Sequence, residues 1–132
     1  MNYYDTFILI ADDSPVRRSK IPESNRKKQT IAEIEYELLK EKPGYYTQDE
    51  LQFKVHMKHK EIPEVNRDEE LVHFLEKSRA CMRASALSKR LGWGIYFDSD
   101  GKAELVPVES KRYRDLQERN DIKRFKAMKS KK

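Results

Sequence analysis

Cysteine is almost missing: the 132 residues contain one, Cys81, so no disulfide framework can hold this chain and packing has to do so. Tryptophan is represented by Trp93 alone, and 4 glycines and 5 prolines are too few for a collagen-like or linker-like chain. Histidine is limited to His56, His59 and His73. No apolar run approaches the roughly 20 residues that a membrane-spanning helix needs. The opening Met1-Asn2-Tyr3-Tyr4-Asp5 sets no basic segment before the short apolar run Phe7 to Ala11, unlike a secretory leader. These absences predict a cytoplasmic protein with no membrane partner.

What the chain does have is charge. Charged residues make up 39% and hydrophobic residues 37%, but the hydrophobic ones recur in ordered patterns, as in a folded body rather than a disordered one. At this length folding removes about two-thirds of the unfolded chain's surface from water, enough for a core. The net charge of +5 is unevenly spread: residues 111–132 carry +7 and residues 1–110 carry −2. The expected organisation is a globular body over 1–110. A basic C-terminal helix and tail over 111–132 is then either part of the same domain or a partner-binding extension.

Local patterns predict α+β architecture. Thr6 to Ala11 reads as a buried strand, and the Pro-containing stretch Asp12 to Gln29 as a long loop. Thr30 with Glu33 has capping-box spacing before the stripe Ile31, Ile34 and Leu38, a helix that Pro43-Gly44 ends. Leu51, Phe53, Val55 and Met57 alternate with polar residues, the period of a strand. Thr47 with Glu50 leaves a competing helix open. Asn66 with Glu69 opens a second helix to Lys77, with Leu71, Phe74 and Leu75 as its buried side. Cys81 to Ala84 reads as a short strand. Ser85 caps a two-turn helix closed by Gly92, and Asp98-Ser99-Asp100-Gly101 joins Trp93–Phe97 to Lys102–Val106 as a hairpin. The sum is a mainly antiparallel sheet with two main helices, one short helix and a basic C-terminal helix.

That last helix starts near Ser110. Its apolar residues change face, with Tyr113 and Leu116 together and Ile122 and Phe125 opposite. Either the chain bends near Asn120, or the distal part packs on a partner, for instance as a homodimer through Ile122, Phe125 and Met128.

The densest cluster of special residues is Arg83 to Phe97. Ser85 at a helix start, with Arg79, Arg83, Lys89 and Arg90 near it, is an arrangement for holding an anion, and Trp93 or Tyr96 supplies a stacking surface. The competing reading makes Ser85 a cap, Trp93 core and the cations a solvated face. Cys81 reads as a small buried residue, because spacing pairs it with no base. The three histidines do not share a face, so no metal set is expected, and no cofactor motif occurs. Asp12-Asp13 at a strand end are turn formers or catalytic acids.

In order along the chain, Thr6-Phe7 to Asp12-Asp13-Ser14-Pro15-Val16, Thr30-Ile31-Ala32, Arg83-Ala84-Ser85 and Lys89-Arg90-Leu91-Gly92-Trp93-Gly94 resemble a small, uncharacterised bacterial family classed as a domain of unknown function. The resemblance spans residues 4 to about 113 and implies no activity. In that family's pattern cysteine stands where this chain has Ser14 and proline where it has Ala86, which leaves a thiol mechanism at position 14 without its thiol here. Sequence alone thus points to a non-catalytic binding domain for an anionic ligand or a protein partner through the 83–93 surface. The alternatives are nucleic-acid binding through the basic tail, and a small enzyme using Asp12 and Asp13 with Cys81 or Ser85.

Overall fold

A computed structural model describes residues 2–23 and 27–130. Four strands form one sheet among these residues: β1 (Thr6–Leu9), β2 (Trp93–Phe97), β3 (Ala103–Pro107) and β4 (Lys123–Lys126), in the order β3-β2-β1-β4. β1 and β3 both pair antiparallel with β2, whereas β4 runs parallel to β1. Five helices accompany them: α1 (Ile31–Glu41), α2 (Gln48–His59), α3 (Arg67–Glu76), α4 (Ala86–Lys89) and α5 (Lys111–Glu118). The fold is therefore α+β with a mostly antiparallel sheet, as the patterns predict.

Strand alternation gives the sheet two apolar faces. Ile8, Trp93, Ile95 and Phe97 join Leu38, Leu39, Leu51, Val55 and Leu87 in a core under α1, α2 and α4. On the other face Phe7, Leu9 and Val106 meet Tyr113, Leu116 and Ile122. This second side is tightly closed: a Cβ placed on Gly94 would lie 2.8 Å from the Phe7 ring and 2.9 Å from the Tyr113 ring.

The 51–57 segment is a helix, not the strand that alternation predicts. Thr47 accepts the Glu50 N–H and Glu50 accepts the Thr47 N–H, a complete capping box. At 100° per residue, Leu51 and Val55 share one side of a helix and Phe53 and Met57 the opposite side. Both pairs are buried. Leu51 and Val55 enter the main core, and Phe53 packs on Phe74 of α3 with ring centroids 5.4 Å apart. A helix covered on two sides imitates the period of a strand.

Three further expectations are corrected. α3 forms, but none of its residues is buried and Leu75 is 55% exposed. Its Asn66 makes no side-chain cap, because the 3-10 turn Glu64–Asn66 runs directly into the helix. Met82–Ala84 is a 3-10 turn rather than a strand, with the Met82 N–H held by Gln48 Oε1 at 2.7 Å. α4 is a single turn; Ser85 caps it by accepting the Leu87 N–H, and Gly92 follows with φ of +80°.

The C-terminal helix stops at Glu118. The chain turns there, and 123–126 becomes the edge strand beside β1, so the expected change of apolar face is a change of secondary structure. Ile122 joins the closed core with Tyr113 and Leu116, and Phe125 packs at 6.1 Å from Tyr3. The long loop is pinned where Lys20 accepts the Trp93 indole N–H at 2.8 Å and donates its own N–H to Leu91 at 2.8 Å. No helix among the described residues is long and apolar enough to cross a membrane.

Candidate functional site

Within the apolar stripe of α1, between Ile34 and the pair Leu38 and Leu39, stands an acid. Glu35 is 6% exposed, a costly place for a carboxyl. Ser85 meets it from the start of α4: the Ser85 hydroxyl donates to Glu35 Oε1 at 2.7 Å while its oxygen accepts the Leu87 N–H at 3.2 Å. Burial pushes the Glu35 carboxyl up to about 7, against a smaller downward pull from Ser85. Oε2 has no protein hydrogen-bond partner among the described residues and is not sealed by protein. When ionised, the carboxyl accepts the Ser85 proton at Oε1 and leaves Oε2 as a further acceptor; when acidic, it also brings an O–H donor.

Glu35 and Ser85 line a cavity of about 470 Å³ bounded by α1, α2, Phe74 of α3 and residues 79–86. That volume lies in the ordinary range for small-molecule sites. Its walls are largely apolar, with Ile31, Ala32, Val55, Phe74, Met82 and Ala84. Polar side chains edge it. His56 Nε2 lies 2.7 Å from Glu70 Oε1 and its ring 5.1 Å from Phe74. Glu70 is held below the usual carboxylate range, first by this hydrogen bond. His59 is pushed down by desolvation and then by Lys28, Lys60 and His56, which favours its neutral form. Arg79 is ion-paired with Asp49, donates to Gln52 Oε1 at 3.1 Å, and covers Phe74 at 4.4 Å.

Cys81 also lines the cavity and accepts the Tyr3 hydroxyl at 3.1 Å. Burial first, then Cys81, pushes that phenol up to about 12. A larger hollow of about 960 Å³ lies between α2 and α3, away from the Glu35–Ser85 pair.

The structure divides the residues that sequence places on one surface. Arg79 and Ser85 reach the cavity. Arg83 turns to the sheet edge, where its Nε donates to the Lys126 carbonyl at 2.8 Å and its guanidinium lies over Phe125 at 5.6 Å. Lys89 is partly buried and Arg90 exposed at the end of α4. Trp93 is 6% exposed core, its ring 5.4 Å from Tyr36. Tyr96 is on the opposite face of the sheet, under Arg112 at 5.4 Å.

Asp12 pairs with Lys126 at 2.9 Å and Asp13 accepts the Ser130 N–H at 2.9 Å, whereas Cys81 and Ser85 line the cavity. The proposed acids and nucleophiles thus have different neighbours. No group of three or more His, Cys, Asp or Glu placed to hold a metal ion occurs among the described residues.

The chain belongs to a family of unknown function, DUF6157. The family model matches residues 1–132, so both α1, which supplies Glu35, and the Arg83-Ala84-Ser85 segment lie within the match. No curated protein and no solved structure matches this chain.

Glu35 is the site residue that motif reading passes over. Its signal is a lone acid within the stripe Ile34, Leu38 and Leu39, where helical geometry puts it on the buried side.

Proposed function

We propose that this chain is a binding protein for a small amphipathic molecule with an anionic end, held in the cavity between α1, α2 and residues 79–86. The observation that carries the reading is the buried Glu35–Ser85 pair at the wall of a largely apolar cavity. The apolar walls suit a hydrocarbon body. Lys60 in the lining, with Lys28 close to His59, suits an anionic group at the edge. This keeps the expected anionic ligand and moves its site from the outer 83–93 surface to the inner side of the same segment.

Five of the ten basic residues over 111–132 are engaged within the chain, which favours this reading over nucleic-acid binding. Lys111 pairs with Asp115, Arg112 with Glu104, Arg119 with Asp121 and Lys126 with Asp12, and Arg124 donates to the Gln117 carbonyl at 2.6 Å. Cations occupied by neighbours within the chain are poorly placed to displace counterions from a polyanion.

Octanoate tests the reading by calorimetry. Binding is expected for the native chain, to be lost in Ala84→Trp and Ala32→Leu, which fill the cavity, and to weaken several-fold in Lys60→Glu. Absence of octanoate binding, or equal binding by both filled variants with their melting temperatures retained, overturns it.

A further inference from the structure

Resting on that reading, we propose that Glu35 selects ligands that carry a protonated nitrogen, so that the cavity takes an amphipathic amino acid, with its ammonium group at Glu35 and its carboxylate at the edge beside His59 and Lys60.

The argument starts from the two carboxyl oxygens. Oε1 is occupied by the Ser85 hydroxyl at 2.7 Å, and that hydroxyl is itself fixed by the Leu87 N–H at 3.2 Å. Ser85 therefore cannot turn to serve a ligand without leaving α4 uncapped. Oε2 is not sealed and has no protein partner among the described residues. A carboxylate in such a place is poorly stabilised by one hydroxyl, and the group that best offsets its desolvation brings both hydrogen-bond donors and a positive charge. Ammonium does both; a ligand hydroxyl or amide N–H brings the donor alone.

The remaining ionisable side chains lining the cavity are His56, His59, Lys60, Arg79 and Cys81. Arg79 is committed to Asp49 and His56 to Glu70. Lys60 in the lining, with Lys28 close to His59, leaves positive charge on another part of the cavity. A molecule with ammonium at one end and carboxylate at the other, separated by methylenes, matches the carboxyl, the lysine and the apolar side chains that line the cavity.

The test compares 8-aminooctanoate with octanoate, by calorimetry at pH 7.5, on the native chain and on Glu35→Gln, which keeps an acceptor for Ser85. The native chain is expected to bind the amino compound roughly tenfold more tightly, as one opposite-charge contact in a secluded site gives, and Glu35→Gln to abolish that preference. Repeating the titrations at pH 6.5 in buffers of different ionisation enthalpy gives a second readout. Binding of the amino compound should release close to one proton more than octanoate binding in the native chain, and no excess in Glu35→Gln. Equal affinity for the two compounds, or a preference that survives Glu35→Gln, overturns the selection by Glu35 while octanoate binding leaves the cavity reading standing. If neither compound binds, both fall.

Discussion

On the α5 side of the sheet, Phe7, Val106, Tyr113, Leu116 and Ile122 close on one another, and the Tyr113 hydroxyl oxygen accepts the Ile10 N–H at 3.0 Å. On the α1 side, a largely apolar lining includes a carboxyl that burial drives up to about 7 and a cavity of about 470 Å³ beside it. The same strands build both, so the difference does not come from the sheet. It comes from what covers the sheet: one amphipathic helix whose apolar residues meet the strands directly, against two helices and an irregular segment that meet around an acid. The first side spends its packing on stability. The second gives some stability up, because burial disfavours the Glu35 carboxylate.

The largest effect that separates the two sides should come from Leu116→Ala. Leu116 is 2% exposed in the closed cluster, and removing such a side chain costs about 2–5 kcal/mol in transfer and cavity terms. Denaturant unfolding should show that loss, while the octanoate affinity of the folded fraction stays unchanged. A parallel fall in affinity would mean that the two sides act as one unit.

Glu35→Gln acts on the other side and with the opposite sign. The folded chain holds the Glu35 proton up to about 7, whereas its ordinary value is 4.5. Between these values the folded state binds more protons than the unfolded state, so stability falls as pH rises from about 4.5 to about 7 and levels off above it. The shift corresponds to at most about 3 kcal/mol. Glu35→Gln is therefore expected to be more stable than the native chain at pH 8, by about 1–3 kcal/mol, and to lack that slope. Thermal unfolding from pH 4.5 to 8 measures it, and two parallel curves would show that the carboxyl has no desolvation cost to relieve.

Where a segment has one buried face and explicit end signals, its structure was legible beforehand. Thr30 with Glu33 caps α1, Ser110 caps α5 by accepting the Tyr113 N–H, and Asp98 Oδ1 accepts the Asp100 and Lys102 N–H groups in the hairpin turn. α2 was obscured because it is buried on two sides. β4 was obscured for the reverse reason: all four of its residues are exposed, and only the edge of β1, more than a hundred residues earlier, makes Lys123–Lys126 a strand. The Ser85 cap was legible as a local motif, but its acid partner is 50 residues away. The cavity is likewise assembled from α1, α2, α3 and residues 79–86, and its walls carry no local pattern that announces their meeting.

The smallest effect concerns the device that makes α2 a helix. The Thr47 hydroxyl accepts the Glu50 N–H at 3.3 Å, and Glu50 Oε1 accepts the Thr47 N–H at 2.9 Å and Lys102 Nζ at 3.4 Å. The Thr47 N–H is the leading cause that holds Glu50 below the usual carboxylate range. Thr47→Ala removes one half of this exchange and should cost about 1 kcal/mol, with Thr47→Asp retaining most of it. Because α2 also supplies Gln52, Val55 and His56 to the cavity wall, a fraying first turn should weaken octanoate binding slightly, unlike Leu116→Ala. If Thr47→Ala costs nothing in denaturant unfolding, burial of Leu51 and Val55 on one side and Phe53 and Met57 on the other is sufficient to select the helix, and the capping box follows the tertiary contacts rather than directing them.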